Sequence, residues 1–213
     1  MYMLIFTIVG ARLGHCLFYE PAYYFSNPIK FLYVWEGGLA SHGGAIGILI
    51  GLYIYSKKIN KPYLWILDRI VIPVAIGGAF IRMGNLMNSE IYGYPTDLPW
   101  GFKFVYNYPP GTDINLIPAC HPTQIYEALF CVAVFIYLLY AYYKQNMADK
   151  HPGFLFSIFL LVVFGSRIII EFLKERQVDF EEGMFLDMGQ LLSIPFVIAG
   201  VYFLIRSFKV SKE

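Results

Sequence analysis

Two arginines, a histidine and a short run of polar side chains stand where the surrounding sequence is otherwise apolar. The stretch "IRMGNLMNSEIYGY", residues 81–94, follows directly on "IVIPVAIGGAF" and brings Arg82, Asn85, Asn88 and Glu90 to the end of an apolar segment. A second arginine, Arg167, lies in "SRIIIEFLKER" with Glu171 four residues on, and His42 sits among glycines in "WEGGLASHGGAIG". A cation inside a membrane-spanning segment costs about 2.5–3.5 kcal/mol on insertion scales, so each needs a partner or a water-filled cavity and marks a functional site by default.

Each of these residues has a structural reading beside the chemical one. Arg82 is either a snorkelling cation favoured by a helix C-terminus or part of a polar site. Asn85, Asn88 and Glu90 favour the second reading, because they supply donors and acceptors where the chain leaves the membrane. Arg167 and Glu171 form an i,i+4 pair with the cation N-terminal, the weaker order, and the helix dipole opposes Glu171 near a C-terminus. Helix stability therefore does not account for the pair. A site for an anion does: two arginines converging on one phosphate present planar forks that match its oxygens, with Glu171 holding the Arg167 guanidinium in place. His42 is either a general base near neutral pH or a histidine bonded to a neighbouring helix's carbonyl, and its glycines permit close backbone approach in both cases. "HPTQIYE", residues 121–127, reads as a helix start with Pro122 in the first turn, which carries Glu127 into the membrane and leaves it needing a partner. His15 and His151 look incidental.

The elements that must position these groups follow from composition. The chain has 213 residues, 58% hydrophobic and only 15% charged, with a mean hydropathy of +0.55, outside what an ordinary soluble domain shows. A net charge of +1, no basic arm and no zinc spacing exclude a nucleic-acid partner. Cys16, Cys120 and Cys131 form an odd set without a CxxC pair, so neither a disulfide framework nor a metal site is expected, and they read as small apolar fillers. The N-terminal apolar run lacks a basic flank and is interrupted by Arg12, so it reads as a spanning helix rather than a signal peptide.

Taking about 20 apolar residues per span, six segments qualify: 1–19, 38–56, 65–84, 123–143, 153–172 and 187–206. The third is the weakest, with Asp68, Arg69 and Pro73 inside it and Gly77 and Gly78 suggesting close helix contact. The expected fold is an all-α polytopic membrane protein with about six transmembrane helices and a small periplasmic loop region, one transmembrane domain over residues 1–213. One set of connections, with the C-terminus, gathers nine cations, including Lys57, Lys58, Lys61 and Lys212, against three acids. The positive-inside rule then puts both termini in the cytoplasm and the loops 20–37, 85–122 and 173–186 outside. Arg82, Arg167 and His42 all fall at the outer ends of their helices. In the longest loop, "WGFKFVY" is either one strand of a hairpin or a set of aromatic rings lying among head groups.

The stretch "GGAFIRMGNLMNSEIYG" resembles the signature of the bacterial prolipoprotein diacylglyceryl transferases, here Arg82, Gly84, Asn85, Asn88, Glu90 and Gly93. "GARLGHCLFYEP", "WEGGLASHGGAIG", "HPTQIYE", "SRIIIEF" and "MGQLLSIP" are similar to further blocks of that family, in its order and over nearly the whole chain. Members usually carry two further helical segments before the "GARLGH" block, so the resemblance implies a chain lacking those N-terminal segments. It also implies an enzyme of the bacterial cytoplasmic membrane that moves the diacylglyceryl unit of phosphatidylglycerol onto the lipobox cysteine thiol of a prolipoprotein signal peptide. A thioether forms, glycerol phosphate departs, and no cofactor or metal is required. The site residues carried over are His42, Arg82 and Arg167 as catalytic groups and Asn85, Asn88, Glu90, Gly93 and Glu171 as substrate-binding groups. The arginines would hold the phosphate and His42 would take the thiol proton, a task that a tyrosine or the leaving phosphate could perform instead. Two rival classes are a membrane transporter, which calls for broken helices in two matching halves, and a lipid-binding fragment without activity.

Overall fold

The structure, a computed structural model, describes residues 1–175 and 186–210; at Ser41, His42, Met188 and Val210 it describes the backbone only. Most of the expected outer loop 173–186, including Arg176, and the tail with Lys212 therefore lie outside the described residues. Two compact units divide the chain, residues 1–66 and 67–213.

The first unit is built on α1 (Tyr2–Phe18), a short α2 (Pro21–Ser26) and α3 (Ser41–Lys58). Small residues form the seam between α1 and α3. A Cβ on Gly10 would fall on the carbonyl of Gly43, and one on Gly47 on the carbonyl of Phe6, so the two backbones pack in direct contact. Between them, residues 20–40 fold around Arg12, which is almost fully buried. Its guanidinium donates to the carbonyls of Lys30 at 2.6 Å, Gly37 at 2.5 Å and Phe31 at 3.2 Å, and lies 5.0 Å from the centre of the Tyr24 ring. Gly37 and Gly38, at φ 86° and 69°, supply the left-handed backbone that turns these carbonyls inward.

The second unit holds α4 from Leu67 on (the helix runs Tyr63–Met87), α5 (Thr123–Tyr143), a short α6 (Met147–Lys150), α7 (Phe154–Glu171) and α8 (Met188–Val210). Its core is apolar: Val71 and Ala75 of α4 meet Val134, Leu138 and Ala141 of α5 and Phe154 and Leu155 of α7. The third segment is a continuous helix through Pro73, and Asp68, which weakened it on paper, has a structural task. Fully buried, its carboxylate accepts from the backbone N–H of Gly153 at 2.6 Å and of Phe156 at 2.9 Å, capping the start of α7 from a neighbouring helix.

Helices stand at all six expected positions. Four are long and apolar enough to cross a membrane, namely α4, α5, α7 and residues Gly189–Lys209 of α8; α1 is apolar but shorter. Large apolar side chains such as Phe80, Leu129, Ile136 and Ile169 are more than half exposed, as expected where lipid rather than protein covers a helix. The protein is an all-helical, multi-pass membrane protein.

No strand forms over "WGFKFVY". Phe102 and Cys120 exchange a pair of backbone hydrogen bonds, at 2.9 and 2.8 Å, but this is an isolated bridge. Two features stop the ladder. Phe104 turns inward to stack on Tyr92, with ring centres 4.4 Å apart, and the chain then tightens into a 3-10 turn at Val105–Asn107 ahead of Pro109 and Pro110. Trp100 and Tyr106 remain exposed.

Candidate functional site

α4 delivers Arg82 and Asn85 on its last turns and ends at Met87. The chain then turns through Ser89 and Ile91, both non-glycine residues in the left-handed region, at φ 55° and 61°. Such a backbone persists only where its surroundings over-determine it, and here every carbonyl of the turn is claimed. Asn107 donates to Ser89 O at 2.9 Å, Gln124 to Glu90 O at 2.7 Å and Thr123 to Ile91 O at 3.0 Å. Gly93 closes the turn. Its N–H donates to the His121 carbonyl at 2.9 Å, and a Cβ there would strike Leu173 O and the side chains of His121 and Thr123. Gly93 thus packs the frame of the site, with its backbone committed to neighbours.

Held this way, the polar side chains form one chain of contacts. Arg82 Nη1 donates to Asn85 Oδ1 at 3.1 Å, and Asn85 Nδ2 donates to Glu90 Oε1 at 2.7 Å, with Asn88 reaching the same oxygen at 3.4 Å. On its other side Arg82 Nε lies 2.5 Å from Glu127 Oε2. Lys174, only 3% exposed, donates to Glu127 Oε1 at 2.8 Å and to Glu171 Oε2 at 3.3 Å. Glu171 Oε2 in turn stands 3.9 Å from Arg167 Nε. The ends of α4, α5 and α7 are joined by five ionised groups, three cations and two carboxylates.

Two of these groups have unused bonding capacity. Arg167 Nε is buried without an acceptor, since 3.9 Å to Glu171 is too long for a hydrogen bond. Glu127 Oε2 is buried without an aligned donor: the Arg82 contact is a close pairing of charges whose N–H does not point along it. Buried polar atoms left unpaired are costly, and both residues line a single cavity of about 190 Å³. Arg82 and Gly78 of α4, Glu127 and Cys131 of α5, and Phe164 and Arg167 of α7 form its walls. It offers guanidinium groups from two helices, one carboxylate oxygen that accepts no aligned hydrogen bond, and an apolar flank, which suits an anionic ester with a hydroxyl beside it and a greasy remainder. A second, polar hollow of about 550 Å³ is bounded by Asn88, Glu90, Tyr92, Asn107 and Glu175.

The profile of the prolipoprotein diacylglyceryl transferase family matches residues 1–206. The chain belongs to that family. Among proteins named phosphatidylglycerol--prolipoprotein diacylglyceryl transferase, it is similar to that of Porphyromonas gingivalis, 51% identical over 98% of this chain and 76% of the relative. It is 46% identical to those of Chloroherpeton thalassium and Tolumonas auensis, over 98% of this chain and 75% and 77% of theirs.

In this diacylglyceryl transferase family member, the residues singled out in the sequence fall into three groups. Arg82, Asn85, Asn88, Glu90, Arg167 and Glu171 come together in one connected cluster. Gly93 stands behind it as frame. His42 is the second residue of α3, in the first unit, and its side chain lies outside the described residues. Sequence reasoning missed the role of Lys174, which falls in the expected outer loop 173–186, and gave Glu127 no partner. Spacing held the signal for Lys174, which lies three residues after Glu171 and seven after Arg167, on the same helical face continued. Gln124, fully buried with Oε1 unpaired, had no such signal.

Proposed function

We propose that this protein transfers the diacylglyceryl group of phosphatidylglycerol to the lipobox cysteine thiol of a prolipoprotein, in the bacterial cytoplasmic membrane, with the arginine cavity facing outward. The observation that carries the reading is the convergence of Arg82 and Arg167 on one cavity that holds unpaired buried polar atoms. In the reaction the thiol sulfur forms a bond to the glyceryl carbon as the C–O bond to phosphate breaks, and glycerol phosphate leaves with the bonding pair. Negative charge grows on the phosphate as it departs. Two preorganised guanidinium groups stabilise that charge more in the transition state than in the bound lipid.

The remaining residues fit around this step. Asn85 couples Arg82 to Glu90, so the amide orients both the arginine and the carboxylate toward the head group. Glu127 Oε2 is placed to accept from a head-group hydroxyl, and the exposed apolar helix faces give the acyl chains a path into lipid. His42 takes the thiol proton, with the loops 20–37, 85–122 and 173–186 on the outer side. The chain's own three cysteines have no part, since the reacting thiol belongs to the substrate; Cys120, for one, is buried and its thiol is pushed above its ordinary value by that burial and by Glu175.

The test is direct. Purified protein in phosphatidylglycerol-containing vesicles is incubated with a lipobox peptide, and thioether product is followed by mass spectrometry. Product that requires both the peptide cysteine and phosphatidylglycerol supports the assignment; lipid binding without product contradicts it.

A further inference from the structure

We propose that Gly189, on the first turn of α8, is a positioning residue for the arginine pair, because its missing side chain is the seat of the Glu171 carboxylate. The proposal rests on the reading of the cluster as a phosphate-binding site. A Cβ built on Gly189 would overlap both carboxylate oxygens and the carboxyl carbon of Glu171, and it meets nothing closer. Sliding α8 away from the seat would break the buried Gln190 bond that ties its first turn to α7. Gln190, 1% exposed, donates from Nε2 to the Ile168 carbonyl of α7 at 3.1 Å and accepts from Asp187 N at 3.2 Å, and Ser193 Oγ donates to Gly189 O at 2.6 Å. An added methyl group must therefore displace the carboxylate, the far end of a flexible side chain.

The displacement matters because of what Glu171 holds. Its Oε2 accepts from Lys174 and stands beside Arg167 Nε. Moving it takes from Arg167 the carboxylate whose charge lies nearest its guanidinium among the described residues, and leaves Lys174 to pair with Glu127 alone. Helix α8 itself is not weakened: alanine is a better helix former than glycine, so on helix propensity the substitution is favourable.

Gly189→Ala is expected to leave membrane insertion and helix content intact and to lower turnover about ten- to a hundredfold, as misplacements of order 1 Å do. Glu171→Asp, one methylene shorter, withdraws from the seat. In that background Gly189→Ala should cost much less, the two changes being non-additive because they act on one contact. Equal cost in both backgrounds overturns the proposal, since helix packing alone would not depend on Glu171. A readout free of activity separates this from the functional reading. In detergent-solubilised protein labelled with 15N-arginine, the Arg167 Nε–H resonance, assigned by its loss in Arg167→Lys, should shift in Gly189→Ala. An unmoved resonance overturns the positioning role; a shifted one in a protein that transfers no lipid supports the positioning role and overturns the function.

Discussion

Arg12 and the Arg82–Arg167 pair are all arginines in apolar helices, and insertion cost alone makes them equivalent. The structure separates them by what their N–H groups do. Arg12 spends its donors on main-chain carbonyls of residues 30–38 and stacks against Tyr24, with no carboxylate in the contact, so it is a closed knot that folds a loop. Arg82 and Arg167 are held by carboxylates, line a cavity, and leave a buried N–H and a buried carboxylate oxygen unpaired. A buried arginine is thus a functional signal only when its donors are not consumed by the fold.

That contrast breaks most visibly on mutation. Arg82→Ala or Arg167→Ala should lower transfer by about a hundred- to a thousandfold, the range for removing one donor from a developing charge, while each variant still inserts and folds. Near-normal turnover in vesicles would make these arginines structural like Arg12. Next in size is Lys174→Met, which removes the cation that Glu127 and Glu171 share. Turnover should fall about tenfold or more and recover in Lys174→Arg, since a guanidinium spans the same two carboxylates; failure of arginine to rescue would mean the ammonium is needed for something other than charge.

Arg12→Ala should act in the opposite register. It strips partners from several buried carbonyls, costs on the order of 1–3 kcal/mol of stability, and leaves turnover per folded molecule within about twofold of the parent; thermal melting beside the vesicle assay checks both halves. Asp68→Ala, which removes the cross-helix cap of α7, should cost about 0.5–2 kcal/mol with turnover likewise unaffected. The smallest effect belongs to Lys30→Ala: the exposed Lys30–Glu36 pair raises the lysine's affinity for its proton, chiefly through the hydrogen bond it donates to Glu36, yet melting temperature should not move measurably.

Helices were readable at all six positions from their apolar runs, four of which are long and apolar enough to cross a membrane, and the two arginines because a charge in such a run is rarely accidental. Asp68 looked like a flaw in the third span, since the N–H groups it caps belong to a helix 85 residues further on, which no local pattern reveals. Of the two readings left open for "WGFKFVY", the strand does not form, because Phe104 stacks on Tyr92 and the chain then tightens into a 3-10 turn, neither of which a local pattern shows. Lys174 was hidden by position: it follows the last apolar turn of α7, where a lysine ordinarily meets water, and only the approach of Glu127 from α5 makes it interior. Gly189 lies in "MGQLLSIP", a block similar to the family's, but the reason for a glycine there is the volume of a carboxylate from another helix.

The most direct measurement is a structure of the protein in nanodiscs containing phosphatidylglycerol. The lipid phosphate should lie between Arg82 and Arg167, within hydrogen-bonding distance of both, with Glu127 Oε2 facing a head-group hydroxyl. A phosphate bound away from this cavity, or touching neither arginine, would contradict the account.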